Sequence, residues 1–363
     1  MPTDPIRVGI IGVHPEQGWA TAAHIPALKR LPEFRIEAIS NSRLETAQAA
    51  AKKFGIARAF GSTEELLASP DIDLAIVTVR VPLHRAIVSQ AIAAGKPVFS
   101  EWPLGRNLLE TTALRDYAAN KDVPSYVGLQ TRAAPAFAYS RDLVKDGYVG
   151  DVLSATVIGA GILWGEGMSE SYSYTLDPDN GAGMLNVPFA HSIDGLLHAL
   201  DTRFETVSGL LANARTKVRI FETGADRPLT VPDQIVVAGT LENGATVSAH
   251  FRGGLSRATN FHVEINGTRG DLVITSPIGY VGTGGTRLMG ARHDDALHEL
   301  AIPEVYGANR DAHAPVQNIA IAYERIASDF RRGTRLAPTF DDAVALHRLV
   351  DSIERSKGTM RRL

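Results

Sequence analysis

The sequence has no cysteine, no marked excess of either charge and no long hydrophobic run. The absence of cysteine excludes disulfides, thiolate nucleophiles and zinc held by cysteine. With 37 basic and 40 acidic residues the net charge is −3, and so small a charge argues against nucleic acid or a membrane surface as a partner. No window approaches about 18 consecutive apolar residues, so no membrane span is expected. The start of the chain lacks a signal-peptide pattern, and we expect a cytoplasmic protein.

The composition that remains is that of a globular protein, with 363 residues of which 44% are apolar. A chain of this length is expected to form about two domains. In the first third of the chain, short apolar runs alternate with helical periods, which is typical of βαβ units and a parallel sheet. We predict an α/β domain over residues 1–130, with strands at 7–11, 35–40, 74–79, 98–100 and 125–129 and helices at 20–31, 44–54, 63–68, 84–94 and 108–120.

The pattern changes after a helix predicted at 137–145, because longer β-type runs dominate from there. Asn243-Gly244 joins two of them as a hairpin, since this pair readily adopts positive φ angles. We predict an α+β domain over residues 131–363 with an open, largely antiparallel sheet, through which the chain forms a homodimer or homotetramer, and C-terminal helices that can pack back on the first domain. The predicted strands are 152–158, 206–214, 233–241, 245–251, 260–266 and 272–275, the predicted loop is 277–294, and the predicted helices are 316–332 and 341–355.

A glycine-containing turn, from Gly12 to Gly18, follows the first strand and precedes the first helix. A dinucleotide pyrophosphate binds at such a turn, where the N–H groups of a helix end face it. The turn departs from the G-x-G-x-x-G pattern, because His14 stands at the middle glycine and Gly18 comes one residue late. We predict that Gly12, His14, Gly18 and Trp19 contact the cofactor. A turn that binds nothing is an equally good interpretation of this local pattern.

The end of the second strand carries Asn41 and Arg43 where a dinucleotide-binding domain commonly has a carboxylate for the ribose 2′-hydroxyl. A guanidinium matches the oxygens of a 2′-phosphate, so NADP is favoured over NAD, and both residues are predicted cofactor contacts. The alternative is that Ser42 caps the following helix and Arg43 is solvated.

The third and fourth strands end at the carboxyl edge of the sheet, where open α/β sheets bind ligands. Trp102 is predicted to wall the pocket there and to contact the substrate, because an indole can stack on a sugar ring and donate its N–H. It cannot carry a proton, since it has no basic nitrogen. The predicted cofactor contacts at this edge are Val79, Pro82, His84 and Glu101.

The run 95–104, GKPVFSEWPL, together with the two-domain pattern, resembles the glucose–fructose oxidoreductase and inositol dehydrogenase family, called Gfo/Idh/MocA. The resemblance implies an N-terminal Rossmann domain that binds NAD or NADP, and an α/β domain whose open sheet covers the nicotinamide. The family's usual motif at this strand end is Glu-Lys-Pro, with the lysine near cofactor and substrate. Trp102 stands here in place of that lysine.

Six further phrases resemble the branch of this family that contains the galactose-pathway repressor of yeasts. That relative has the same fold and binds a dinucleotide, but it works through protein contacts rather than turnover. The phrases are QGWA at 17–20, EW at 101–102, LQTR at 129–132, DGYVGD at 146–151, VPD at 231–233 and GTRGD at 267–271.

The segment 181–194 carries the remaining signature of the family's dehydrogenases, which commonly have an aspartate four residues before a histidine. Here Val187 holds the first position and His191 is retained. Imidazole gains and loses protons near neutral pH, so His191 is the candidate catalytic residue and a substrate contact. A histidine satisfied within the core is the alternative. Asp194 is expected to orient a backbone group or a helix end.

The resemblance also implies residues that line the nicotinamide region. Gln130 is the cofactor contact among them, and Arg132 and Asn186 are substrate contacts. Other chemistries have weaker support: no metal is expected, because His293 lacks a second histidine at ligand spacing, whereas Asp177 and Asp179 keep a carboxylate pair of the glycosidase type open.

Two functions follow from these features. The first is an NAD(P)-dependent oxidoreductase that acts on a sugar, polyol or related carbohydrate by hydride transfer, with His191 assisting the proton. The second is a dinucleotide-binding regulator or scaffold without turnover, which Trp102 and Val187 favour because they replace the two groups that normally move the proton.

Overall fold

The computed structural model describes residues 4–280, 285–307 and 313–363. The chain divides into two compact units: unit 1 comprises Met1–Leu129 and Pro315–Ala345, and unit 2 comprises Gln130–Ala314 and Leu346–Leu363. The chain thus returns to unit 1 late in the sequence. The limits predicted above, 1–130 and 131–363, treat each domain as one continuous stretch.

Unit 1 is built on six parallel strands in the order β3-β2-β1-β4-β5-β6. This is the doubly wound order of dinucleotide-binding domains, with the crossover point between β1 and β4. The central strands β1 and β4 are rich in Ile and Val and almost entirely buried, and the predicted parallel sheet is confirmed. Their bounds are β1 Ile6–Ile11, β2 Phe34–Ser40, β3 Arg58–Phe60, β4 Leu74–Val77, β5 Val98–Glu101 and β6 Ser125–Gly128.

Five helices connect these strands, with bounds α1 Ile25–Leu28, α2 Leu44–Phe54, α3 Thr63–Ala68, α4 His84–Ala93 and α5 Leu108–Asn120. The predicted helix 20–31 is wrong in its first half: a π-helical turn, Ala20–His24, precedes a short α1. Pro26 explains the difference, because it has no N–H to donate back along the helix. The N–H of Ile25 instead reaches the carbonyl of Ala20, five residues back, which is the π pattern.

Unit 2 contains a nine-stranded sheet in the order β17-β16-β15-β14-β7-β13-β12-β9-β18 and a three-stranded sheet, β11-β10-β8. In the large sheet only β7 and β13 pair in parallel, so the predicted open, largely antiparallel sheet is confirmed. The bounds are β7 Val152–Gly161, β8 Gly167–Met168, β9 Phe204–Ala212, β10 Lys217–Ile220, β11 Asp226–Pro228, β12 Gln234–Leu241, β13 Thr246–Gly253, β14 Phe261–Gly267, β15 Gly270–Ser276, β16 Arg287–Arg292, β17 His298–Glu299 and β18 Arg361–Arg362.

The loop predicted at 277–294 is wrong in part, because β16 lies within it and pairs with β15. Residues 281–284 of that loop lie outside the described residues. Leu288 is the deeply buried apolar residue of this strand, and Gly290 occupies the next inward position, so the sequence offers too little alternation to predict a strand. The hairpin at Asn243-Gly244 is as predicted, and it joins β12 to β13 with φ +85° at Gly244.

Four more helices complete the chain: α6 Pro135–Lys145, α7 Ala190–Leu200, α8 Ala314–Arg332 and α9 Phe340–Ser356. A π-helical turn, Leu185–Phe189, leads into α7. Among the described residues no helix is long and apolar enough to span a membrane.

Candidate functional site

The turn after β1 requires glycine at its first position. Gly12 has φ +97°, and its N–H donates to the carbonyl of Ser40 at 2.9 Å. A Cβ added to Gly12 would lie 2.5 Å from Cγ1 of Val79, which follows β4. Gly18 also has a positive φ, +94°, but open space surrounds it. Gly12 therefore allows β1 and the segment after β4 to approach closely at the crossover point, where any side chain would collide with Val79.

Side chains fix the course of this turn. The N–H of Glu16 donates to Nδ1 of His14 at 3.0 Å, so the exposed imidazole is turned toward its own loop. Nδ2 of Asn41 donates to the carbonyl of Val13 at 2.7 Å and joins the end of β2 to the turn. Asn41 thus positions the turn, and its Oδ1 can still accept from a ligand.

The start of the π-helical turn presents a buried donor. Nε1 of Trp19 is buried, and it has no hydrogen-bond partner among the described residues. A buried polar atom without a partner is rare in folded proteins, and a bound ligand is one of the explanations. Together with the glycine turn at the crossover point, this unpartnered donor fits a dinucleotide at the carboxyl edge of the sheet.

Arg43 starts α2 with an extended backbone, φ −135° and ψ 127°, and no side chain caps this helix. The interpretation in which Ser42 caps α2 therefore fails. The side chain of Arg43 is exposed, two residues after Asn41, where it can meet a phosphate.

A buried histidine connects the loops after β4 and β5. His84 is 1% exposed, with Nε2 at 2.9 Å from the carbonyl of Val79 and Nδ1 at 2.8 Å from that of Pro103. Burial lowers the pKa of His84 although both carbonyls act in the opposite direction. Pro82 is half-buried in the intervening helical turn. His84 thus acts on the site through the two loops that it ties together, one of which follows Trp102.

Glu101 and Trp102 lie at the carboxyl end of β5. Trp102 is 4% exposed. Oε1 of Glu101 lies 3.0 Å from Nε2 of His24, whose Nδ1 lies 2.7 Å from the hydroxyl of Tyr323. His24 and Tyr323 were not predicted as site residues, because they are 299 positions apart and no local pattern connects them.

Apart from Trp102, which belongs to unit 1, the candidate substrate residues fall within unit 2. Arg132 donates from Nε and Nη2 to the two carboxylate oxygens of Asp194, at 2.8 and 2.6 Å. Both side chains are largely buried, 15% and 5% exposed. Asp194, expected to orient a backbone group or helix end, instead forms a bidentate ion pair. The ion pair fixes the position of the Arg132 guanidinium.

His191 lies on α7 and is 6% exposed. Its ring stacks on that of Tyr280, with centroids 6.2 Å apart and planes 21° apart. Sequence reasoning missed Tyr280, because it ends a segment with no hydrophobic periodicity. Asn186 and Val187 are half-buried in the π-helical turn before α7, and Gln130 is buried in a helical turn, Gln130–Ala133.

Two other candidate sites find no support in the described residues. There, no group of three or more His, Asp or Glu side chains could hold a metal ion. Asp177 accepts from the N–H of Asp179 at 3.0 Å, and both residues are exposed. This pair is therefore an Asx turn at the start of a helical turn rather than two carboxylates facing a pocket.

Comparisons with known proteins agree with this two-domain architecture. Residues 6–129 match the model of an oxidoreductase family with an NAD-binding Rossmann fold, GFO_IDH_MocA, and residues 135–276 match the model of the C-terminal domain of Gal80p. These two matches fall on the two parts of the chain that carry the predicted resemblance, which is confirmed.

The matched relatives include regulators and dehydrogenases. The chain is 29% identical to the galactose/lactose metabolism regulatory protein GAL80 of Saccharomyces cerevisiae, over 97% of this chain and 92% of that protein. A super-repressor mutant of Gal80p from that yeast superposes with a TM-score of 0.89 at 28% identity, covering 99% of this chain and 98% of the other. The dehydrogenase aclE of Aspergillus oryzae is 33% identical over 54% of this chain and 55% of that protein. Levoglucosan dehydrogenase, in complex with NADH and levoglucosan, shares the fold, with a TM-score of 0.85 at 21% identity and 99% coverage of both chains.

Proposed function

We propose that the protein is an NAD(P)-dependent oxidoreductase that acts on a sugar, polyol or related carbohydrate. The glycine turn at the crossover point of a doubly wound sheet carries the cofactor part of the proposal, together with the unpartnered Nε1 of Trp19 that follows it. A bound nicotinamide supplies hydride chemistry at its C4. The chain's own residues bind and orient the cofactor and handle the proton.

His191 is the proposed proton-handling group. Its imidazole is held against Tyr280 and is nearly buried, so its ring nitrogens have a restricted direction. We assign it the proton that a carbohydrate hydroxyl loses on oxidation or gains on reduction. Arg132, fixed by Asp194, is the proposed substrate contact beside it in unit 2, together with Asn186.

Arg43 is the proposed determinant of cofactor choice. Its guanidinium is exposed two residues after the end of β2, and it would pair with a 2′-phosphate and favour NADP. Arg43→Ala is expected to weaken NADP binding about tenfold or more and to leave NAD binding nearly unchanged. Lys52→Ala, near the other end of α2, is the matched control. Equal losses for the two cofactors would remove Arg43 from the site.

A dinucleotide-binding regulator without turnover is the second candidate. Trp102 and Val187 favour it, because neither can transfer a proton. The likeness to GAL80, a regulatory protein, over nearly the whole chain favours it as well. In this case the same dinucleotide site would belong to a protein that works through contacts with other proteins.

One set of experiments separates the two candidates. Wild type is titrated with NADPH and NADH by fluorescence, and nicotinamide absorbance is then followed with a panel of sugars and polyols. Turnover that His191→Gln abolishes while His198→Gln, on the same helix, retains it supports the enzyme. Tight cofactor binding with no turnover across the panel supports the regulator. Absence of dinucleotide binding would overturn both.

A further inference from the structure

The side chains of Glu101, His24 and Tyr323 lie in a row, in contact with one another, next to the sheet edge of unit 1 where the dinucleotide is proposed to bind. His24 is fully buried in the π-helical turn that follows the glycine-containing loop. Its Nε2 lies 3.0 Å from Oε1 of Glu101 in β5, and its Nδ1 lies 2.7 Å from the hydroxyl of Tyr323 in α8. Phe99, also from β5, packs edge-on against the imidazole. Glu101, 13% exposed at the end of β5, is the one of these three residues that reaches the surface.

The protonation states follow from the partners. Burial, reinforced by the negative charge of Glu101, raises the pKa of Tyr323 well above its ordinary value, so the phenol keeps its proton and can donate it to Nδ1. A neutral imidazole that accepts at Nδ1 carries its proton on Nε2. Nε2–H is therefore the nitrogen that faces the carboxylate. The ring is not aligned for a linear hydrogen bond at 3.0 Å, so the attraction to the carboxylate is mainly electrostatic.

We infer that His24 and Tyr323 are positioning residues that hold the Glu101 carboxylate in a fixed place at the edge where the dinucleotide binds. This inference rests on the proposed dinucleotide binding. A carboxylate backed by a donor loses less freedom when a cofactor hydroxyl donates to it. The groups that face His24 are Glu101 and Phe99 from β5 and Tyr323 from α8.

The first test is a double-mutant cycle on cofactor affinity, measured by calorimetry with NADP and NAD. His24→Ala is expected to weaken binding about tenfold, as expected for loss of a contact to a charged group. His24→Gln, which retains an N–H near the position of Nε2, should recover most of this loss. In the Glu101→Gln background His24→Ala should have little further effect. An equal tenfold loss in that background would overturn the inference.

The second test does not depend on cofactor binding. Nitrogen-15 NMR of the labelled imidazole reports which ring nitrogen carries the proton. Wild type is expected to show Nε2–H at neutral pH, and Tyr323→Phe should populate the other tautomer. Tyr126→Phe, another buried tyrosine of unit 1, is the control that should leave the His24 signal unchanged. An Nδ1–H tautomer in wild type would overturn the roles assigned to His24 and Tyr323. Because this measurement needs no bound dinucleotide, its outcome is distinguishable from failure of the proposed function.

Discussion

Gly12 combines two constraints that a larger residue cannot meet. Its φ of +97° is costly for any residue with a Cβ, and the Cβ itself would lie 2.5 Å from the side chain of Val79. Gly12→Val is expected to abolish dinucleotide binding in a fluorescence titration and to reduce the free energy of unfolding by about 1 to 3 kcal/mol. Gly55→Ala, at the end of α2, also changes a glycine with a positive φ, but open space surrounds it, so this variant should keep binding. An unchanged affinity in Gly12→Val would place the cofactor elsewhere.

The Arg132–Asp194 ion pair is a second feature at the scale of single residues. Removing one of its partners should lower the free energy of unfolding by a measurable amount. Removing one partner of a buried ion pair leaves a charge without compensation, which typically costs about 3 to 5 kcal/mol. Asp194→Ala is therefore expected to lower the midpoint of urea denaturation strongly. Asp351→Ala breaks a more exposed pair with Arg355 and should cost less than about 1 kcal/mol. Similar losses in both variants would show that Arg132 does not depend on Asp194.

At the scale of an element, the start of α5 couples stability to pH. Glu110 is buried, and Arg106 donates to it from its side chain at 2.9 and 2.6 Å and from its backbone at 2.9 Å. Burial raises the pKa of Glu110, but these hydrogen bonds from Arg106 outweigh it, and the net pKa is lowered. A carboxylate with a lowered pKa in the folded state stabilises the protein above its unfolded pKa, and this contribution is lost as the pH falls through the folded value.

Glu110→Gln tests this coupling. The variant is expected to be less stable than wild type at neutral pH, and the difference should shrink as the pH falls below the ordinary range of carboxylates. Urea denaturation of both proteins at a series of pH values measures it. Glu242→Gln, at an exposed position in the turn between β12 and β13, should follow the wild-type pH profile. A difference that stays constant with pH would mean that Glu110 is not ionised in its pair.

Elements could be predicted where burial leaves a continuous trace in the sequence. The strands at the centre of the unit 1 sheet are such cases, since β4 is buried at every position. The three residues of β3 and the weakly alternating β16 offer no such trace. The π-helical turn at Ala20–His24 has an apolar period close to that of an α-helix, and Pro26 was the signal that could have revealed it.

For the molecule as a whole, the site also has a part that could be predicted from the sequence and a part that could not. The groups at strand ends could be predicted, because the carboxyl ends of parallel strands share one edge, and the contacts from Gly12 to Val79 and from Val79 to His84 follow from that rule. Tyr280, the partner of His191, and Tyr323, the partner of His24, depend on long-range folding. Their placement requires knowledge of which segments meet, and a single sequence does not supply it.

The return of the chain to unit 1 has a consequence for how the protein can be divided. Val127 donates its N–H to the carbonyl of Pro338 at 3.0 Å. Tyr323, 1% exposed, places its ring centroid 5.4 Å from that of Phe34 and 5.6 Å from that of Phe99. A fragment of residues 1–130 lacks these contacts and exposes their apolar partners to water. It is therefore expected to lack a cooperative unfolding transition and to aggregate.

Supplying the missing segment should reverse this outcome. A fusion of residues 1–130 to residues 313–345 through a flexible glycine–serine linker restores the contacts of Tyr323 and Pro338, and the cost of closing the added loop grows only slowly with linker length. The fusion is expected to show near-ultraviolet circular dichroism and a cooperative thermal transition, both absent from the fragment. Tyr323→Ala in the fusion should weaken the transition, because it removes a large buried side chain. A fragment 1–130 that unfolds as cooperatively as the fusion would show that the first domain is complete without the C-terminal segment.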